Sequence, residues 1–203
     1  MDIFNLLFGV TTPRSDDSRS RNGSHDASSV QSVSQTFDTA TSRLMQVAGD
    51  RQQLDRNIEE ILADSTFHLV NEYRESIGLH AVLREARIDH LCRQHGLYMQ
   101  KSGCISHDNF QTFRGHAVRE LGFTNSLPTE NVGGGECYRE QLSENKAFFV
   151  ASKWLEGWLA STQGHAENIR MRSHVVSGMG CIIRPTRDGV FDFECFVTQI
   201  FGS

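Results

Sequence analysis

The sequence has no long apolar run and no excess of positive charge. Its longest apolar stretch near the N-terminus, Ile3 to Val10, is interrupted by Asn5, whereas a membrane-spanning helix needs about 18 consecutive apolar residues or more. The formal net charge is -5 at pH 7, so the chain lacks the clustered positive charge with which proteins bind phosphate backbones. We therefore predict no transmembrane segment and no nucleic-acid partner.

Cysteine is also scarce. The five cysteines are Cys92, Cys104, Cys137, Cys181 and Cys195. No CxxC pair occurs among them, which argues against a structural zinc site and a dense disulfide framework. A turn at residues 186–189 would set Cys181 roughly opposite Cys195 in a hairpin, so that pair is either a disulfide or two buried thiols. Cys137 lies in a polar stretch and is predicted to be the most reactive thiol.

The N-terminal region lacks the basic segment and the small-residue cleavage pattern of a signal peptide, so the sequence by itself predicts an intracellular protein. Apolar residues are rare between Thr11 and Thr41, where serine and aspartate prevail. Such a segment buries too little apolar surface to offset the entropy of ordering it. We predict a disordered leader over residues 1–42 and one folded domain over residues 43–203.

Apolar periodicity predicts helices in the first three quarters of this domain. They are expected at residues 51–77 with a possible break at 64–66, from about 88 to 103, at 114–121, and from Ser143 to about 158. Two later runs, 175–183 and 190–201, are rich in β-branched and aromatic residues and apolar on both faces. Such strands belong to a sheet covered on each side. The predicted fold is α+β, a three-layer α-β-α sandwich with a mostly antiparallel central sheet.

Three residues at element boundaries are the candidate site: His107, Glu130 and His165. Two imidazoles and a carboxylate are a natural ligand set for a divalent metal such as zinc, and they equally suit a proton-transfer pair. A chance trio is also easy to find, because the chain has nine histidines and 25 acidic residues.

Other notable residues have structural interpretations. His95 lies on an apolar helix face and is predicted to be a packed core histidine, and Trp154 and Trp158 are predicted to be core anchors. The glycines at 133–135 lack the lysine of a phosphate loop. We expect them to form a tight turn or bulge after a strand.

Seven short motifs occur in order over roughly residues 60–202. They are Leu69 to Arg74, Ser106-His107, Glu130 to Val132, Trp158, Gly164-His165 with Asn168-Ile169, Gly178 to Gly180, and Gln199 to Gly202. Together they resemble the CAP superfamily of cysteine-rich secretory proteins, insect antigen 5 and plant pathogenesis-related proteins. The resemblance is closest to the bacterial SCP-domain form, which has a short Gly-His-x-x-Asn-Ile segment.

The resemblance implies that His107, Glu130 and His165 line one cleft. Many members have a second glutamate three residues after the helix tryptophan, where this chain has Ser161. Members of the family are largely secreted. The resemblance implies a non-enzymatic binding module for a small lipid, a divalent ion or a protein partner. The alternative is a metal-assisted or acid-base hydrolase that uses the same three residues, with no other catalytic group predicted.

Overall fold

The structure is a computed structural model that describes residues 53–123, 127–142, 144–186 and 190–203. The predicted leader, residues 1–42, lies outside the described residues, as do the first part of the predicted domain and most of the predicted turn at 186–189. In the part of the chain that is described, no helix is both long and apolar enough to cross a membrane.

Helix α1 covers residues 53–76 without interruption, so the predicted break at 64–66 is wrong. The Thr66 hydroxyl donates a hydrogen bond to the Leu62 carbonyl oxygen at 2.7 Å. Because this bond satisfies the hydroxyl within the helix, Thr66 does not interrupt the backbone hydrogen bonds of α1. Gly78 follows with a φ of 79°, the left-handed conformation that commonly ends helices.

Among the residues that the structure describes, four further α-helices follow. They are α2 at Ala86–Ser102, α3 at Gly115–Glu120, α4 at Glu144–Ala160 and α5 at His165–Arg170, with a π-helical turn at Phe110–Arg114 before α3 and a 3-10 turn at Arg139–Leu142 before α4. The apolar stripe predicted for α2 is confirmed at four of its five residues, because Ile88, Cys92, His95 and Met99 are buried and Leu91 is half-buried. Gly103 ends this helix in the left-handed conformation.

In the described ranges, four strands form one sheet in the order β1-β3-β4-β2. They are β1 at Leu83–Arg84, β2 at Thr129–Cys137, β3 at Val176–Pro185 and β4 at Phe193–Gly202. The β3–β4 and β4–β2 pairings are antiparallel, but β1 pairs with β3 in parallel. The sheet is therefore mixed, not mostly antiparallel as predicted. Strand β1 gave no sequence signal because it is only two residues long, both exposed.

The predicted α+β sandwich is confirmed, and alternate residues of β3 and β4 face two separate apolar layers. The layer formed with α1, α4 and α5 includes Val70, Trp154, Ile169, Cys181 and Val197. The layer formed with α2 and α3 includes Ile88, Cys92, Val118, Val176 and Ile200. Both strands are buried on both faces because helices cover the sheet from each side.

Two glycines of β3 determine how closely α2 approaches the sheet. A Cβ atom at Gly178 or Gly180 would overlap the backbone of α2 at residues 88–89 and 92–93. Only glycine allows this approach of backbone to backbone. The apolar stripe of α2 is thereby brought directly onto the strand.

The glycines at 133–135 also correct a prediction. They lie inside β2 rather than in a turn after a strand. Next to Gly133 is the indole of Trp158, and next to Gly134 is the backbone of β4 at Cys195. The absent side chains make room for these neighbours, which the sequence alone could not reveal.

Candidate functional site

The loop between α2 and the π-helical turn carries His107. His95 contacts this loop, with its Nε2 2.7 Å from the carbonyl oxygen of Ser106. His95 is 2% exposed, which confirms its predicted place in the core. Two residues after His107, Asn109 adopts a left-handed conformation with a φ of 59°, which turns the chain into the π-helical turn.

Arg114, at the end of that turn, holds Glu130 in a two-pronged ion pair. Its Nε lies 2.7 Å from Glu130 Oε1 and its second terminal nitrogen 2.9 Å from Oε2. The remaining terminal nitrogen donates to the carbonyl oxygen of Asp108 at 2.7 Å. The Glu130 side chain is 0% exposed and that of Arg114 is 6% exposed. A fully buried carboxylate is tolerated here because a planar, permanently charged guanidinium satisfies both of its oxygens.

Glu130 also fixes the orientation of His107. His107 Nδ1 lies 2.9 Å from Glu130 Oε2, and because an ionised carboxylate can only accept a hydrogen bond, Nδ1 is the donor. In a neutral imidazole with its proton on Nδ1, the Nε2 atom presents a lone pair. In His107 that atom lies 3.3 Å from His165 Nε2, and the His107 side chain is 47% exposed.

His165 is the first residue of α5, and two asparagines hold this end of the helix against β2. The side-chain amide of Asn131 donates to the His165 carbonyl oxygen at 3.1 Å. The amide of Asn168 donates both to the Glu130 carbonyl oxygen at 3.1 Å and to Asn131 Oδ1 at 2.9 Å. These bonds fix the distance between the strand that carries Glu130 and the helix that carries His165.

A buried arginine holds the other end of α5. Arg74 of α1 is 1% exposed, and its hydrogen-bond acceptors among the described residues are backbone carbonyl oxygens. These belong to His80 at 3.0 Å, Ile169 at 2.6 Å, Met171 at 3.1 Å and His174 at 3.3 Å. Carbonyl groups at a helix end carry partial negative charge. Arg74 therefore joins the end of α1 to the end of α5 and to the segment that leads into β3.

The protonation of the site follows from these contacts. Burial raises the pKa of Glu130, but the hydrogen bonds from His107 and Arg114 outweigh it and leave the pKa below its ordinary value. Burial lowers the pKa of His165, and the nearby His107 lowers it further. Glu130 is therefore ionised and His165 is neutral at pH 7.

The structure brings together the three predicted residues but gives them different surroundings. The Nε2 atoms of the two histidines lie next to each other, whereas both oxygens of Glu130 are already bonded. At the position of the absent second carboxylate, Ser161 Oγ accepts a hydrogen bond from the backbone N–H of Gln163 at 3.1 Å. Within the described ranges, no group of three or more His, Cys, Asp and Glu side chains is arranged to hold a metal ion.

Sequence reasoning missed Arg114 as a site residue. The available signal was its position among apolar residues, since Phe110, Arg114 and Val118 recur at helical spacing and all three are buried. A lone arginine on an apolar stripe predicts a buried anion partner. The structure identifies that anion as Glu130.

A cavity of about 490 Å³ is lined by residues of α2 and of the segment 108–114. It combines aromatic and polar groups, including Leu91, His95, Tyr98, Asp108, Phe113 and Arg114. Tyr98 and Phe113 are exposed. Its size is within the range of cavities that hold small ligands.

No family model matches the chain, and no curated protein is similar enough to be assigned as a relative. Among solved structures, an extracellular protein containing an SCP domain from Bacillus anthracis is similar with a TM-score of 0.52 and 22% sequence identity, over 73% of this chain and 42% of that one. The fold is that of an SCP domain. At this identity the comparison establishes the fold alone.

Two further solved structures have TM-scores below 0.5. A cysteine-rich secretory protein from Staphylococcus aureus has a TM-score of 0.44 and 16% identity over 71% of this chain and 38% of that one. An outer surface protein from Borrelia burgdorferi has a TM-score of 0.47 and 17% identity over 68% of this chain and 88% of that one. The SCP-fold chain thus spans less than half of the Bacillus and Staphylococcus proteins.

Proposed function

We propose that this protein is a binding module of the CAP superfamily whose cleft binds a divalent transition-metal ion between His107 and His165. The observation that carries the proposal is the 3.3 Å separation of the two Nε2 atoms. Two imidazole nitrogens that each bind zinc at about 2.0–2.1 Å in tetrahedral geometry lie about 3.3 Å apart. The pair thus has the spacing of two ligands of one ion.

Glu130 has a supporting role in this proposal, not the ligand role suggested by the sequence. Metal-binding histidines commonly donate their other ring N–H to a carboxylate, which sets the tautomer and raises the basicity of the ligand nitrogen. Glu130 accepts that hydrogen bond from His107 Nδ1. Its own oxygens are neutralised by Arg114, so the cleft offers two imidazoles with the remaining coordination positions left to water or a ligand atom.

The protonation of His165 favours the same interpretation. A metal binds only the neutral imidazole, so bound protons compete with it. Because the pKa of His165 is lowered by burial and by His107, this ligand stays available at neutral pH. Because the lowered pKa moves protonation of His165 to more acidic pH, we expect metal affinity to fall only below about pH 6.5, the ordinary pKa of histidine.

The proposal is tested by titrating the full chain with zinc in a calorimeter. Zinc should bind wild type in the micromolar range, and binding should disappear in His107→Ala and in His165→Ala. His116→Ala is the matched control, because His116 is an exposed histidine on α3 that pairs with Glu120. Equal zinc affinity in wild type and the His107→Ala/His165→Ala double variant would contradict the proposal. Cobalt absorption then reports whether the coordination is tetrahedral.

An acid-base hydrolase is the second candidate, and the contact between Glu130 and His107 favours it. A carboxylate that orients a histidine leaves Nε2 free to accept a proton from water. A bound metal would add Lewis-acid polarisation of a substrate carbonyl. In the described part of the chain, however, the hydrogen-bond partners of His107 are a carboxylate and an imidazole rather than a hydroxyl or thiol nucleophile. Hydrolysis of peptide or ester substrates that survives unchanged in His107→Ala would not originate in this cleft.

The predicted small-lipid ligand would use the neighbouring cavity instead. Its exposed aromatic side chains, Tyr98 and Phe113, offer an apolar surface to such a molecule. A fluorescent fatty acid that binds wild type and Phe113→Ser equally would argue against this location.

A further inference from the structure

Two cysteines lie side by side at the edge of the sheet. Cys137 is the last residue of β2 and Cys195 lies in β4, and their Sγ atoms are 3.2 Å apart. Strand pairing sets Cys137 opposite Phe193 and Gly135 opposite Cys195. The two cysteines are therefore diagonal neighbours on the same face of the sheet, where side chains contact each other. Both are free thiols in the structure.

This arrangement differs from the sequence-based expectations. Cys137 was predicted to be reactive in a polar loop, but it is 3% exposed and packs in the layer with α1 and α4. From the sequence, Cys181 and Cys195 could be either a disulfide or two buried thiols. They are two buried thiols, because both are free and each is 1% exposed. Cys181 pairs across β3 and β4 with Val197, whereas the sulfur in contact with Cys195 is that of Cys137.

We propose that Cys137 and Cys195 form a reversible disulfide that joins β2 to β4. A disulfide has an S–S distance of about 2.05 Å, so the observed 3.2 Å leaves a gap of about 1.1 Å to close. Rotation of the two side chains can close a gap of this size at the end of β2. No change in strand register is required, since both side chains already point into the same layer.

The hydrogen bond between the thiols distinguishes their chemical roles. It lowers the pKa of Cys137, against the opposing effect of burial, and it raises the pKa of Cys195 together with burial. Cys137 is thus the sulfur that becomes a thiolate first, and thiolates are the nucleophiles in disulfide exchange. Cys195 is positioned to resolve the mixed disulfide that results.

The oxidant required is a small-molecule disulfide, such as oxidised glutathione. The Cys137 thiolate attacks one sulfur of that molecule, and the S–S bond breaks with release of one glutathione thiol. Cys195 then loses its proton and attacks Cys137 Sγ, which releases the second glutathione thiol. In total, two protein thiols become one disulfide while one external disulfide becomes two thiols, and both protons pass to the released thiols.

The bond would constrain a large part of the domain. The chain between the two cysteines contains α4, α5 and β3, including His165. Closing so long a loop restricts the unfolded chain strongly, which stabilises the folded protein. Both thiols are nearly inaccessible, so the reaction requires brief opening of the end of β2, next to the exposed Tyr138.

The test is to equilibrate the full chain in glutathione buffers of increasing oxidised fraction, with a metal chelator present. Samples are prepared both from folded reduced protein and by refolding in the same buffers, so that slow access does not conceal the bond. After acid quenching, denaturation and alkylation, the oxidised protein should show three alkylated thiols instead of the five in the sequence. Tryptic mapping should join the peptides that contain Cys137 and Cys195, and Tm should rise by several degrees.

Variants make the assignment specific. Cys137→Ser and Cys195→Ser should each abolish the gain in Tm and the joined peptides, and each should fold, because serine fills nearly the same volume. Cys104→Ser and Cys181→Ser are the controls and should retain the disulfide. The proposal is overturned if five thiols remain after refolding in fully oxidised glutathione, or if the mapped bond joins Cys181 to Cys195.

Discussion

Arg114 and Arg74 are both almost fully buried, yet they are neutralised in different ways. Arg114 forms an ion pair with Glu130, whereas the acceptors of Arg74 in the described part of the chain are backbone carbonyl oxygens. Each contributes to the position of one cleft histidine, because Glu130 orients His107 and Ile169 lies in the helix that begins at His165. The Arg114 contact therefore depends on charge, whereas the Arg74 contacts depend on hydrogen-bond geometry.

The largest expected effect comes from breaking the ion pair. Arg114→Met leaves the buried Glu130 carboxylate without its partner, which should lower the free energy of unfolding by about 3–5 kcal/mol. Adding Glu130→Gln removes the unpaired charge and should recover a large part of that loss. Urea denaturation of the wild type, both single variants and the double variant measures the coupling. A loss below about 1 kcal/mol for Arg114→Met, as in a surface pair, would show that Glu130 escapes to solvent.

An intermediate effect on the free energy of unfolding is expected at acidic pH, from protonation of His174 near Arg74. Burial, followed by the charge of Arg74, lowers the pKa of His174 to about 4. In the unfolded chain, His174 is protonated near pH 6.5. The free energy of unfolding is therefore at its full value above about pH 6.5, and it decreases by about 3 kcal/mol in total as the pH falls toward 4. The lowered pKa of His165 acts in the same direction.

His174→Gln removes the titrating group and should flatten the decline between pH 6.5 and 4.5. Urea denaturation at pH 7, 6 and 5 measures both proteins. An equally steep decline in the variant would assign the pH dependence to other groups.

The smallest expected effect is a change of geometry without a change of charge. Arg74→Lys keeps the cation but cannot reproduce the planar set of donors, so several carbonyl groups lose their hydrogen bonds. We expect a loss of about 1–2 kcal/mol in the free energy of unfolding. Amide hydrogen exchange should become faster at residues 165–171, with the loop around His107 unaffected. Faster exchange in both segments would mean that the two arginines do not act separately.

The fold could be predicted where the apolar pattern is long. The helices α2 and α4 and the strands β3 and β4 match their predicted segments because buried faces repeat along them. β1 is too short to carry a pattern, and β2 includes glycines at 133–135 that resemble a turn in sequence but lie against Trp158 and β4. Contacts with distant residues determine these two elements, and local sequence does not encode such contacts.

The candidate site was predictable in part. His107, Glu130 and His165 were expected to lie together, and they do. The assignment of Glu130 as a ligand did not anticipate Arg114, which occupies its oxygens. Which partner a buried charge selects depends on how two elements pack.

The close contact of α2 with Gly178 and Gly180 has a consequence for redesign of the cleft. Because the backbones of α2 and β3 are in direct contact there, α2 cannot slide or rotate without breaking this contact. The loop that carries His107 therefore always begins at the same position. Under the proposed binding function, changes in ligand preference are therefore best sought by varying the length and composition of two loops, residues 103–109 and 161–164. Substitutions on the buried stripe of α2 would change the stability of the fold more than the proposed ligand preference.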